Sequence, residues 1–386
     1  MKSVNKYFFK SKKIPIDKFI SNALYDKNYG YYSKKIAFGK NGDFVTAPEI
    51  SFLFSEIIAL WIVSLWKHLN KPKILNIVEL GPGSGCMNSA LIKVFKKFPI
   101  FFKSTKIFLY EKSKSLKKLQ QKKLIGEKVK WIKNFNSIKS GPVIFLGNEF
   151  FDALPIKQFK KVNNIFYEKY VKLEKNSKIK TFLRKISLKT LKELKKFNLI
   201  KNQSFIEFPK QGLKELDLIT SAIKRLNGGL LLIDYGFLKS KGSDTLQSIK
   251  NHKKNMIFDN VGDADITSLV NFNLLKTYFN KKNLKTNNIV TQEFFLKKMG
   301  IVDRAEMVSK KMNFQEKTKI YYMLQRLLSP KQMGELFKVI FTFKLKKKFS
   351  VGFILCFFQK NLINLAVLGI VFFQKMVVFP REFTIA

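Results

Sequence analysis

The run Glu79-Leu80-Gly81-Pro82-Gly83-Ser84-Gly85 joins a carboxylate to three glycines at alternate positions. Glycines so spaced let a main chain approach a bound molecule with no Cβ atoms in the way. In open α/β sheets, ligands bind at such loops, outside the carboxyl ends of the strands. The spacing is G-x-G-x-G and position 86 is Cys, so the G-x-G-x-x-G dinucleotide fingerprint is not met. A P-loop needs a Gly-Lys-Ser/Thr ending, which is absent. A tight strand-to-helix turn without a ligand is the competing reading of the loop alone. Glu111 follows thirty residues after Gly81, at the end of the next apolar run. A carboxylate there can accept hydrogen bonds from both hydroxyls of a ribose. Taken singly, Glu111 reads as a surface glutamate.

These residues need a sheet to carry them. Residues 74–80 form a short apolar run ending in glycines, the pattern of a buried parallel strand. Runs at 106–110, 129–132, 143–146 and 230–233 predict four more strands, the last ending at Asp234-Tyr235-Gly236. Residues 50–69 place Leu53, Phe54, Ile57, Trp61 and Leu65 at helical spacing, which predicts a helix packing one stripe on the core. Residues 86–97 predict another helix. Strands alternating with helices specify a doubly wound α/β sheet. Two stretches fall outside that pattern. Within 157–205, the pieces 165–173 and 178–183 alternate as a hairpin does, and 255–345 is helical in pattern. The expected organisation has four parts: a helical N-terminal segment over 1–70 that contributes to the ligand site; a core over 71–156 and 206–254; a lid or substrate domain from 157–205 and 255–345; and a tail over 346–386 whose status is open.

Composition bounds the rest. The chain has 386 residues, 46% hydrophobic and 14% aromatic, enough to bury a sizeable core and too apolar for intrinsic disorder. Two cysteines, Cys86 and Cys356, cannot make a disulfide framework. With only His68 and His252 beside them, a metal centre or a Ser-His triad is hard to build, so no metal is expected. A reduced, intracellular setting follows. The net charge of +46 would suit a phosphate polymer. Yet only five of the 73 basic residues are arginines, the side chain best suited to bidentate recognition of bases and phosphates. The lysine excess accompanies many Phe, Ile and Asn residues, the imprint of an AT-rich genome, so nucleic acid is disfavoured as a partner. Near the start, Lys10, Lys12 and Lys13 interrupt any signal-peptide core, and no arginine marks a mitochondrial presequence. The apolar stretch 362–373 is shorter than the roughly 20 residues a membrane span needs, and no span is expected. Oligomeric state is not legible.

Further strings stand in order around the loop. Gly42-Asp43-Phe44-Val45-Thr46-Ala47-Pro48-Glu49-Ile50-Ser51 precedes it, and Asn148-Glu149-Phe150-Phe151-Asp152-Ala153-Leu154-Pro155 follows the fourth strand. Then come Gly229-Leu230-Leu231-Leu232-Ile233-Asp234-Tyr235-Gly236, Asp244-Thr245-Leu246, Gly262-Asp263-Ala264-Asp265-Ile266-Thr267 and Met333-Gly334-Glu335-Leu336-Phe337-Lys338-Val339. In this order and spacing the chain resembles the MidA family, class I S-adenosylmethionine-dependent methyltransferases that assist assembly of respiratory complex I. The resemblance covers about residues 14 to 340. It implies a Rossmann-like sheet with an added lid, S-adenosyl-L-methionine as cofactor, and Glu111 as the ribose-binding acid. The implied activity is symmetric dimethylation of an arginine in a complex I core subunit, in a bacterial cytoplasm or a mitochondrial matrix. Ser55 departs from the family's glycine, and residues beyond about 345 have no counterpart. The tail is therefore read as an extension or a read-through end.

Given an arginine acceptor, the place of Glu149 and Asp152 just beyond the fourth strand, at the rim where the reacting groups should meet, suggests roles. Glu149 is expected to orient the acceptor guanidinium and Asp152 to support it. In the alternative, Asp152 caps the following turn and Glu149 touches only the cofactor. Asp43, Thr46, Pro48 and Glu49 resemble the family's segment that folds over the cofactor, although Glu49 could equally favour a helix start through the dipole. With Glu79, Gly81, Gly83, Gly85, Glu111 and Asn148 they make the expected cofactor-binding set. Asp234 and Tyr235 either shape the acceptor pocket or form a buried structural pair. His252 is read as a surface or packing histidine and Cys86 as a small packing residue. The first rival is a nucleic-acid amino-methyltransferase. Its Asn/Asp-Pro-Pro-aromatic loop would stand at Asn148-Glu149-Phe150-Phe151, but both prolines are missing and Glu149 would face an anionic ligand. The second rival is a cofactor-binding assembly factor without catalysis.

Overall fold

The computed structural model of the chain describes residue 9 and residues 13–34, 46–174, 178–201, 203–239 and 242–354. Asp43, Cys356 and the stretch 362–373 lie outside the described residues. The long strands of the central sheet are β1 Leu75–Leu80, β2 Thr105–Tyr110, β3 Val129–Ile132, β4 Val143–Asn148, β5 Gly228–Phe237 and β6 Phe337–Lys344. They lie in the order β6-β5-β4-β1-β2-β3. Strands β1 to β5 run parallel, and β6 runs antiparallel to β5. The chain direction of the order reverses between β1 and β4, the point beyond whose carboxyl ends open α/β sheets bind their ligands. The loops that leave those two strands carry Gly81 and Glu149.

All six residues of β1 are buried, as a strand covered on both faces requires. Leu75 and Ile77 face one apolar layer, while Val78 and Leu80 face the other. In the first layer the helix Phe52–His68 starts at Ser51, whose hydroxyl accepts from the Leu53 N–H at 3.2 Å. Trp61 is fully buried there, with its ring 4.9 Å from Phe341 and 5.4 Å from Phe349. The expected single stripe is too narrow a description of this helix. Its outer side is also covered, because Arg304 of the helix Ile301–Ser309 pairs with the buried Glu56 at 2.8 Å. The second layer is made chiefly by the helices Lys210–Leu226 and Phe272–Lys281.

The block 255–345 is not a separate lid. Phe272 and Phe279 belong to one layer on the sheet, Phe295 and Ile301 to the other, and Phe337–Lys344 is a strand of the sheet itself. An eight-residue Phe-rich run that follows a helical turn has no clear period of its own. Pairing with β5 on one side and with residues 285–286 and 290–291 on the other makes it a strand. Residues 346–354 likewise belong to the core, since Phe349 and Phe353 are buried and the Val351 carbonyl accepts from the Trp61 indole at 3.1 Å.

The predicted hairpin is present: Ile165–Leu173 pairs antiparallel with Ile179–Lys185. It belongs to a second sheet in which Lys13–Pro15, Lys157–Val162 and Phe205–Phe208 also pair. The helix Ile16–Tyr25 packs on this sheet through Ile16 and Phe19. Among the described residues, no helix is long and apolar enough to cross a membrane.

The junction of β4 with β5 gives a stability test. Gly228 has φ of 115°, and a Cβ there would lie 1.9 Å from the Val143 carbonyl oxygen of the neighbouring strand. Gly126, with φ of 79°, has open space around its Cβ position. Gly126→Ala should cost only the left-handed penalty of about 1–2 kcal/mol. Gly228→Ala must also push the two strands apart and should cost roughly 4 kcal/mol. Denaturant melts that rank the two variants the other way would contradict this packing.

Candidate active site

The turn out of β1 is left-handed at all three glycines, with φ of 59° at Gly81, 53° at Gly83 and 80° at Gly85. Side chains resist that conformation, so the sequence supplies glycine. The Gly81 N–H donates to the Tyr110 carbonyl at 3.0 Å, which ties the loop to the end of β2. The Gly85 N–H turns back to Pro82 at 2.8 Å, and the helix Cys86–Phe95 begins there with its first N–H groups unsatisfied by the helix. A Cβ on Gly81 would sit 3.1 Å from the Phe150 ring, so the loops after β1 and β4 touch. Glu79 lies two residues before Gly81, at the end of β1. It is buried, takes the Asn88 side-chain amide, and is pushed up to about 8 by burial.

Glu111 follows β2 and is held from inside. One carboxylate oxygen accepts from the Ser113 N–H at 2.7 Å and the other from the Gln120 amide at 3.1 Å. Burial raises its pKa despite those donors. Gln120 also donates to the Gly83 carbonyl at 2.9 Å and accepts from the Trp131 indole at 2.9 Å. The sequence reading missed Gln120. It sits in the lysine-rich helix Lys114–Lys123, and nothing in its neighbours marks it as the fully buried member.

The third part of the site comes from the N-terminal side. Residues Ala47–Ile50 form a short helix with Pro48 in its first turn. Glu49 caps it by accepting from the Thr46 N–H at 3.3 Å, and its other oxygen accepts from Ser84 of the glycine loop at 2.7 Å. This carboxylate therefore both starts the helix and reaches the glycine loop. The Ala47 N–H donates to Glu149 Oε1 at 3.2 Å, and the Asn148 side-chain amide donates to the same oxygen at 3.1 Å. This turn thus bridges the loop after β1 and the loop after β4.

The loop after β4 is unusual in two respects. Glu149 is left-handed, with φ of 49°, a strained conformation for a non-glycine residue. Its N–H donates to the Ile233 carbonyl at 2.9 Å, and the N–H groups of Phe151 and Asp152 donate to Asp234 at 2.9 and 3.2 Å. Three carboxylates then lie close together at the ends of β4 and β5. Burial pushes Glu149 up to about 8 and Asp152 up to about 6, and raises Asp234 well above the ordinary range. No lysine or arginine among the described residues pairs with any of them. The Tyr235 hydroxyl donates to Asp152 Oδ2, whereas Asp152 Oδ1 and Asn148 Oδ1 are buried without a partner. The Asp152 carboxylate is engaged by Tyr235, and the backbone N–H groups of Ala153 and of Asp152 itself also favour its charged form, as in a turn cap. Asp234 is buried and Tyr235 partly so, and both are bonded to Asp152, so they form a structural pair behind the loop after β4. Tyr25, from the helix Ile16–Tyr25, reaches the same loop by donating to the Ala153 carbonyl at 2.8 Å.

Two residues singled out in the sequence stand apart from this cluster. His252 is exposed in a left-handed turn. Cys86 is only half-buried, and the Lys123 ammonium lies 2.8 Å from its sulfur, so packing is not its whole environment.

Glu79 carries a pH test. A carboxylate of ordinary value 4.5 that rises to about 8 in the fold binds an extra proton when folded. The stability it contributes is present below pH 4.5 and is lost as pH rises through about 8. Thermal melts should therefore fall between pH 5 and 9 more steeply for the parent than for Glu79→Gln. Equal slopes would mean that Glu79 is ionised in the fold.

The left-handed glycines, the absent Cβ beneath Phe150 and the unpartnered Asn148 oxygen suit a crevice made for a close-fitting polar ligand. A family model for S-adenosyl-L-methionine-dependent methyltransferases matches residues 57–290. The mitochondrial protein arginine methyltransferase NDUFAF7 of Xenopus laevis is 27% identical over 365 residues, covering 87% of this chain and 83% of that protein. The human protein of the same name is 28% identical over 352 residues, covering 84% and 78%. The Caenorhabditis elegans homolog reaches 30% over 300 residues, covering 72% and 70%. A Burkholderia thailandensis protein solved with S-adenosyl-homocysteine bound shares the fold, with a TM-score of 0.77 at 21% identity over 92% of this chain and 94% of that one. The chain belongs to the MidA-type S-adenosyl-L-methionine-dependent methyltransferases.

Proposed function

We propose that this methyltransferase acts on a protein arginine, dimethylating it symmetrically in a core subunit of respiratory complex I and so aiding assembly. The observation that carries the reading is the group formed by the half-buried Glu149 and the buried Asp152 and Asp234, with no cation among the described residues paired to them. Burying charge without a partner is strongly unfavourable, and a guanidinium would supply the missing charge. The names of the relatives point the same way. A nucleic-acid acceptor fits this cluster poorly, because the same carboxylates repel phosphate. The compartment that goes with the reading is a bacterial cytoplasm or a mitochondrial matrix, and the relatives are mitochondrial by name.

Bound S-adenosyl-L-methionine supplies an electrophilic methyl group on sulfur. The chain's residues do the rest. The main chain of Gly81, Gly83 and Gly85 lines the cofactor, and Glu111 accepts from its ribose. Thr46, Pro48, Glu49 and Asn148 border it. Glu79 shapes the loop from behind through Asn88. Glu149 keeps Oε1 on Ala47 and Asn148, which leaves Oε2 for a guanidinium nitrogen. Asp152 offers Oδ1, because Tyr235 holds Oδ2. Two carboxylate oxygens can thus hold the planar fork and aim its remaining nitrogen for in-line attack. They can also take the proton that the methylated nitrogen releases. The second sheet around Lys157–Val162, with Tyr25 beside it, is the part we assign to holding the acceptor protein.

Labelled cofactor, purified enzyme and complex I core subunits test the reading, with RNA as the comparison. Label should enter an arginine; label in RNA alone would overturn it. Gly83→Val should abolish cofactor binding in calorimetry while the protein stays folded, and unchanged affinity would misplace the site. Glu149→Gln should lower kcat about 100-fold with the cofactor Kd within twofold. Because Glu149 must be ionised to hold a cation, kcat/KM should rise with pH to a limb near 8. That limb should be missing from the variant.

A further inference from the structure

We propose that Gln120 is the positioning residue of the cofactor site, the side chain that sets the spacing between the glycine loop and Glu111. Its side chain is fully buried, and both amide hydrogens and the amide oxygen have partners. The two amide hydrogens go to the Gly83 carbonyl at 2.9 Å and to Glu111 at 3.1 Å, and the amide oxygen takes the Trp131 indole N–H at 2.9 Å. An indole nitrogen only donates, so Trp131 dictates which end of the amide faces it. The nitrogen is thereby forced toward Gly83 and Glu111, the two acceptors that need a donor. Gln120 also lies under Gly85, where a Cβ would be 3.5 Å from its Cγ.

The consequence is preorganisation. Gly83 has a glycine's freedom to leave its left-handed turn and Glu111 is desolvated, so each gains from an outside hold. One rigid amide supplies that hold to both, from a helix that follows β2, and is itself oriented by a side chain of β3. Binding then does not have to order the loop, which is how affinity is gained without a further contact. This inference rests on Glu111 as the ribose acceptor, a reading tested separately by Glu111→Ala.

Calorimetry with S-adenosyl-L-homocysteine at pH 8 and pH 5.5, each variant compared with the parent at the same pH, decides the matter. Gln120→Glu keeps the shape but replaces the donor with a carboxylate facing Glu111 and the Gly83 carbonyl. Its affinity should fall at least tenfold at pH 8 and recover part of the loss at pH 5.5, where a protonated carboxyl can donate again. Gln120→Leu should lose affinity equally at both values. Trp131→Phe, which frees the amide to flip, should weaken binding less than either. In turnover, the KM for S-adenosyl-L-methionine should rise in step with the loss of affinity. Parental affinity in Gln120→Leu would overturn the proposal, as would a loss in Gln120→Glu that ignores pH. Parental affinity in Glu111→Ala alone would sink only the ribose reading.

Discussion

The carboxylate of Asp234 is the interaction on which the site depends. It is fully buried at the end of β5, and it accepts the N–H groups of Phe151 and Asp152 on one oxygen and of Tyr235 on the other. The loop after β4 is therefore pinned by the neighbouring strand rather than by its own residues. That explains how Glu149 stays left-handed, a conformation its side chain does not favour. Burial and the nearby Asp152 and Glu149 oppose ionisation of Asp234, and the N–H donors of the loop offset part of that.

From this anchor the site is built of carboxylates with one oxygen engaged and one open. Glu149 is steadied by Ala47 and Asn148, and Asp152 by Tyr235. Glu49 has a bridging role at the glycine loop instead, dividing its oxygens between Thr46 and Ser84. Since Ala47 and Glu49 stand on one short helix, the glycine loop after β1 and the loop after β4 share a single support. A displacement of that helix would be felt by both, through contacts no longer than 3.3 Å.

The charge distribution has two scales. A net +46 spread over solvated lysines makes a diffuse field that salt screens within about 8 Å. The buried carboxylates act in a medium of lower dielectric, where their pull on a cation a few ångströms away is much stronger. A basic exterior is thus compatible with a cationic acceptor, provided that the acceptor side chain enters the crevice.

Glycine spacing, short apolar runs and the acid thirty residues downstream are local signals, and the amino-acid sequence by itself determined the parallel strands, the loop after β1 and the cofactor class. It also placed Glu149 and Asp152 beyond the fourth strand, because a strand's end is marked by where its apolar run stops. The sequence did not reveal β6, whose Phe-rich run becomes a strand through its partners, β5 above all. Nor did it reveal that residues 255–345 cover both faces of the sheet, since helical period says which side is apolar but not what that side meets. Gln120 was hidden for the same reason. A polar residue among lysines reads as surface until the fold buries it between Gly83, Glu111 and Trp131. Hydrogen bonds between residues distant in sequence carry no periodicity, so only the tertiary structure decided which of the many polar side chains would hold the site.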